Sequence, residues 1–191
     1  AGEETAEKGM WLKGPGKEFF ETAERELGKL PFVAEDLGDN MENVYALRDE
    51  LGLPGMKVIQ FAFGENMPES VDIPHNYNTN SIAYTGTHDN NTALGWYHEE
   101  TRREDRKRLA RYAGRPVSRF NVHRVLSRLV YASVAQVAIL PMQDILGLPE
   151  EKRMNTPGSE KENWLWRLKA GAITPKVKKL LKDWVGFYYR G

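Results

Sequence analysis

The chain has 191 residues, enough for one domain or part of a larger one, and 40 % of them are hydrophobic, so it can bury a core. Its 27 Lys and Arg balance 27 Asp and Glu, which removes any general attraction to nucleic acid or an anionic membrane, and the lack of cysteine excludes disulfides, cysteine zinc sites and a thiol nucleophile. No apolar run approaches the roughly 20 residues that span a bilayer, and the opening AGEETAEKGMWLKGPG has no signal-peptide pattern, so the expectation is a soluble, cytoplasmic protein.

Residues 1–16 read as a loop closed by the breaker Gly14-Pro15-Gly16. KEFFETAERELGKL then spaces Phe19, Phe20, Ala23 and Leu27 as a helix, with Gly28 as its stop. PFVAEDL is a short apolar run that turns acidic, read as a first strand. MENVYALRDELG is a second amphipathic helix closed by Gly52, and GMKVIQFAFG is a second strand rich in β-branched and aromatic residues. A polar, Asn- and Pro-rich loop runs from Gly64 to Asn80, followed by a third strand, SIAYTGT, and a helix from TALGWYHEE onward. The basic stretch Arg102 to Arg119 carries interspersed acids and reads as a solvated helix face, not a nucleic-acid site. Helical spacing returns at Val125, Leu126, Leu129 and Val130. VAQVAILPM is a fourth strand, in competition with a helix through 124–138, and ITPKVKKLLKDWVGFYY is the last helix.

Strands alternating with helices predict βαβ units and a parallel sheet, and near-continuous apolar strands predict burial on both faces. In such folds the chemistry lies beyond the carboxyl ends of the strands. The polar residues that follow the predicted strands are Glu35 and Asp36, then His88, Asp89 and Asn90, then Gln143 and Asp144. On neighbouring parallel strands these groups would share one rim, and two carboxylates in different surroundings suit glycosidic chemistry. Each residue also has a plainer role: solvated turn acids at Glu35-Asp36, a helix N-cap at Asp89 or Asn90, a packing histidine at His88. By default Phe61, Phe63, Trp96, Trp164 and Trp166 are core, not sugar platforms. No G-x-G-x-x-G or G-x-S-x-G occurs, and His98-Glu99-Glu100 is no zincin motif because position 102 is Arg.

In order and spacing, PFVAEDLG, GLPGMKVIQFAFG, IPHNYNTNSIAYTGTHDNNTALGWY and RMNTPGSEKENWLWRL resemble the amylomaltase or disproportionating-enzyme family, the 4-α-glucanotransferases of glycoside hydrolase family 77. The resemblance runs from about Gly9 to Leu168. It implies an α/β fold, the C-terminal half (strands 5–8) of a (β/α)8 TIM barrel of the α-amylase type, with 1–16 a loop leading in and 17–191 the half-barrel. It further implies Glu35 as general acid/base, Asp89 as the carboxylate that stabilises the transition state, and His88 as a hydrogen-bond partner of the sugar at the cleavage point. Asn90 joins them as a substrate-binding residue, and Asn155 and Phe61 as residues lining the glucan groove. Implied partners are maltooligosaccharides or starch- or glycogen-derived glucans, and either the other half of the barrel or a second copy; no cofactor, metal, nucleic acid or membrane is expected.

One departure stands out. A retaining enzyme needs a nucleophile about 5 Å from its acid/base, and the family carries it as an Asp in a motif close to R-I-D-H. These 191 residues hold no such motif, and Val71-Asp72-Ile73 lies in the wrong place. The expectation is therefore a chain inactive by itself, with two alternatives to catalysis: an α-glucan-binding module without chemistry, or a half-barrel fragment that binds a partner.

Overall fold

The computed structural model describes residues 9–10, 12–38 and 41–191, so most of the predicted lead-in loop lies outside the described residues. The chain divides at Pro54 into two compact units, 1–54 and 55–191.

The first unit carries two helices, α1 (Lys17–Leu27) and α2 (Glu42–Glu50), where the apolar spacing predicted them. Neither helix has a buried residue, and they are linked by a Lys17–Glu50 ion pair at 2.8 Å. The predicted first strand does not form. Over PFVA only Ala34 bridges, its N–H donating to the Pro54 carbonyl at 2.9 Å. Pro31 offers no N–H, and Phe32 and Val33 stay exposed, so this run has neither a ladder nor a cover. What fixes the segment is Asp36. Its side chain is buried and ion-paired with the Arg48 guanidinium of α2.

The second unit is built on a three-stranded parallel sheet, β1 (Gly55–Val58), β2 (Ser81–Tyr84) and β3 (Val137–Ile139), in that spatial order. Gly55 pairs with Ser81, and Ile82 with Val137. The predicted GMKVIQFAFG strand stops early, at Val58, whose N–H donates to the Asp72 carboxylate at 2.8 Å, and a 3-10 turn follows at Ile59–Phe61. The 64–80 connection is a loop carrying two further 3-10 turns, Met67–Glu69 and Pro74–Asn76.

After β2 the chain forms one helical turn, α3 (Ala93–Gly95), which widens into a π-type turn at Trp96–Glu100, where the Thr101 N–H reaches back five residues to the Trp96 carbonyl at 3.1 Å. The N-cap is Thr92, whose hydroxyl accepts the Gly95 N–H at 3.0 Å; neither Asp89 nor Asn90 caps this helix. The basic stretch contains α4 (Arg103–Tyr112), in which Leu109 is buried and Arg106, Arg108 and Tyr112 are half-buried. α5 (Val122–Tyr131) presents Val122, Leu126 and Val130 to the core beside Ile59 and Ala83. It ends before β3, so the competing helix to 138 does not form. α5 packs against α3, against α6 (Met142–Leu146) and against α7 (Pro175–Phe187), the predicted last helix. Arg190 ties the end of the chain back, donating to the carbonyls of Tyr131, Ser133 and Ala135.

Two expectations about burial change. Val137 and Ile139 of β3 are each 43 % exposed, so this outer strand is not covered on both faces. Asp144 does not stand on an open rim either. It is 2 % exposed, with Oδ2 accepting the Thr85 hydroxyl at 2.5 Å and Oδ1 the Ala93 N–H at 2.7 Å. Burial raises its pKa from the ordinary 3.8 to about 6, against the two hydrogen bonds, which lower it.

Leu126 is fully buried, and Leu126→Ala is expected to cost about 2–5 kcal/mol of unfolding free energy in urea titrations. The Asp144 carboxyl holds its proton more tightly in the fold than in the unfolded chain. Its contribution to stability is therefore fully present below pH 3.8 and is lost as pH rises through about 6. Asn in its place can keep both contacts, accepting from Ala93 and donating to the Thr85 oxygen, with no charge to bury. Compared by urea unfolding at about pH 4.5 and about pH 7.5, the wild-type chain should lose about 2 kcal/mol relative to Asp144→Asn. An unchanged gap between the two proteins would refute the buried carboxylate as the cause.

Candidate active site

The segment after β2 is held from three sides. Thr85 is fully buried against Asp144, as described above. Gly86 lies so close to β1's end that a Cβ there would fall 2.7 Å from Gln60 Nε2, and that same amide donates to the Asn91 carbonyl at 2.9 Å. Asn91 in turn donates to Glu100 Oε1 at 2.9 Å. Between these anchors Thr87 and Asn90 close a turn: the Asn90 side-chain oxygen accepts the Thr87 N–H at 2.8 Å and its hydroxyl at 2.9 Å. The turn leaves the side chains of His88 and Asp89 half-exposed, at 53 % and 44 %.

A second segment, 66 residues later, completes the arrangement. Asn155 Nδ2 donates to Asp89 Oδ1 at 2.6 Å, and the Asn155 N–H donates to the His88 carbonyl at 3.1 Å. Arg153 binds the Asp89 carbonyl through Nη2 and the Asn155 carbonyl through Nε, both at 2.9 Å. His88 Nε2 lies 3.4 Å from the same Asp89 Oδ1. Both neighbours thus address one carboxylate oxygen, and no described residue hydrogen-bonds Oδ2. The carboxylate is aimed by a fixed amide while one oxygen stays available to a ligand. Beside His88 stands Trp164, ring centroids 5.0 Å apart and planes inclined by 40°.

The residues singled out in the sequence separate as follows. His88, Asp89 and Asn155 come together. Asn90 adjoins them, but its side-chain oxygen is engaged by the turn. Phe61 sits in the 3-10 turn beyond β1's carboxyl end and is 49 % exposed; Trp164 is 53 % exposed, so neither is core. Phe63 and Trp96 are core, buried to 1 % and 7 % exposure. Glu35 belongs to the first unit, exposed beside the buried Asp36. Arg153 was missed, although it immediately precedes the Met154-Asn155 pair in RMNTPG. Among the described residues no three His, Asp or Glu side chains cluster as metal ligands, and no helix is long and apolar enough to cross a membrane.

Known proteins share this arrangement of segments. The family model for 4-alpha-glucanotransferase matches residues 1–174. The 4-alpha-glucanotransferase of Streptococcus pneumoniae serotype 4 is 46 % identical over 190 residues, covering 100 % of this chain and 37 % of the relative. That of Thermus thermophilus is 45 % identical over 178 residues, 90 % of this chain and 35 % of the relative. Among solved structures, the amylomaltase from Streptococcus agalactiae in complex with acarbose superimposes with a TM-score of 0.88 at 39 % identity, over 95 % of this chain and 36 % of that one. The chain spans a little over a third of the length of these relatives. With a family model matched over nine-tenths of its residues, and a fold to go with it, this chain belongs to the 4-alpha-glucanotransferase family.

Proposed function

We propose that these residues supply the acid/base and the transition-state carboxylate of a 4-α-glucanotransferase, which moves α-1,4-glucan segments between maltooligosaccharides by a retaining double displacement. In this reading Glu35 protonates the departing glycosidic oxygen as a carboxylate nucleophile attacks the anomeric carbon. It then takes the proton from the 4-hydroxyl of the acceptor sugar as that oxygen displaces the nucleophile. Asp89 lies beside the oxocarbenium-like carbon and stabilises its positive charge. His88 hydrogen-bonds the same sugar, with Asn155, Asn90 and Phe61 in the surrounding groove. The nucleophile belongs to the R-I-D-H motif, which these 191 residues do not contain.

The observation that carries the reading is the 2.6 Å bond from Asn155 to Asp89, which aims an accessible carboxylate beyond the carboxyl end of a parallel strand. The acarbose complex of the S. agalactiae relative supports an α-glucan as ligand. The same reading takes β1, β2 and β3 as the sixth to eighth strands of a (β/α)8 barrel, with 31–35 in the place of the fifth, residues 17–191 as its half-barrel and 1–16 leading in. The remaining strands would come from the rest of such a barrel or from a second copy, with the activity in the cytoplasm.

A chimera tests this, with residues 9–168 replacing the matching segment of the S. pneumoniae relative. It should release glucose and longer oligomers from maltotriose, and Glu35→Gln should lower kcat by about 10²–10⁴-fold. The 191-residue chain assayed alone should show no disproportionation. Full activity of the Glu35→Gln chimera would sink the assignment, and glucose release by the chain alone would show that it provides its own nucleophile.

A further inference from the structure

Trp164 is the most exposed of the described tryptophans of the second unit. Trp96 and Trp184 are buried in the core at 7 % and 9 % exposure and Trp166 is half-buried, whereas Trp164 is 53 % exposed. Its backbone is in the left-handed region, φ +63°, as is that of Glu162 two residues earlier, φ +63°. A bulky side chain adopts that conformation at a cost that glycine would not incur. The surroundings impose it nonetheless. The Trp164 N–H donates to the Met154 carbonyl at 2.8 Å, and the Trp164 carbonyl accepts from Arg167 Nη1 at 2.8 Å. The loop is braced further by Asn163, which accepts the Thr156 N–H at 2.9 Å and donates to the Ser159 carbonyl at 2.6 Å.

A strained, doubly tethered backbone thus presents a large, half-solvated ring. Burial of the ring does not explain this arrangement; its position does. The Met154 carbonyl that anchors it adjoins Asn155, which aims Asp89, and the ring itself lies 5.0 Å from the ring of His88. Strain held in place by its surroundings concentrates where a side chain must be presented to a ligand. An indole face is suited to the C–H face of a pyranose, which has few other partners outside water.

We propose that Trp164 is a sugar platform: its exposed indole face packs against a glucosyl unit of the bound α-glucan, adjoining the unit held by His88 and Asp89. This rests on the glucan reading of the site given above. The strain is maintained for binding, so stability and affinity should move in opposite directions when the ring is removed.

Calorimetric titration of the purified 191-residue chain with maltoheptaose, paired with thermal unfolding, tests it. Trp164→Gly suits the φ of +63° and should unfold at the same or a higher temperature, yet bind at least about tenfold more weakly, as loss of an aromatic anchor does. Trp164→Phe keeps an aromatic face and should bind within about threefold of wild type. If Asp89→Asn weakens binding while Trp164→Gly leaves it unchanged, the platform is overturned and the glucan site stands. If both Trp164 variants unfold earlier and bind equally weakly, the ring is structural and the platform is likewise overturned. A wild-type chain that takes up no maltoheptaose at millimolar concentration overturns the platform in this chain, while maltotriose disproportionation by the chimera decides the glucan reading separately.

Discussion

The Asp144 carboxylate bridges two places that would otherwise be independent. One oxygen takes the hydroxyl of Thr85 at the end of β2, and the other takes the Ala93 N–H at the start of α3. The segment between them, residues 86–92, carries His88 and Asp89. Its length is fixed at both ends by one buried acid from a different part of the chain. A charge buried at 2 % exposure is costly unless its hydrogen bonds are made. The raised pKa of about 6 shows that two good donors offset this cost only in part. The carboxylate thus exchanges some stability near neutral pH for a defined exit from the strand.

The same logic recurs around it at smaller scale. Gln60 at the end of β1 leaves no room for a side chain at Gly86 and holds the Asn91 carbonyl, so adjacent strand ends are locked to one loop. Arg153 and Asn155 then clamp the loop from outside, the arginine through backbone carbonyls and the asparagine through the Asp89 carboxylate. In the first unit, Asp36 beside the proposed acid/base Glu35 is pinned by Arg48. There the carboxylate of Asp36 is buried and paired, while its neighbour Glu35 remains exposed. Buried pairs of this kind define position more than they add stability.

Helices with a clear apolar stripe were legible: α1, α2, α5 and α7 fall where the spacing places them, because a 3.6-residue period is a local property, and α4 falls in the basic stretch read as a solvated helix face. Strands were legible only where neighbours supply a ladder. SIAY and VAI found partners on the sheet; PFVA, with a proline at its start and exposed side chains, found only a tight turn at Phe32 and the single Ala34 bond to Pro54. GMKVIQFAFG reads as a long strand by composition, yet its ladder ends at Val58, whose N–H goes to Asp72 fourteen residues on, and the chain turns at Ile59. The helix cap was misplaced for a similar reason. Asp89 and Asn90 are good capping residues, but the turn uses the Asn90 oxygen, and Thr92 accepts the first free N–H.

The sequence alone determined the α/β class, the parallel strand-helix order and the motifs that identify the family, since these depend on composition, period and spacing. It also named His88, Asp89 and Asn155 as site residues. Only the tertiary structure decided that these three meet, that Asp144 is a buried tie instead of a rim acid, and that Trp164 stands beside His88 half-exposed. The physical reason is sequence separation. Each of these facts is a contact between residues about 50 to 76 positions apart, and its direction is set by buried hydrogen bonds that leave no periodic trace in the chain.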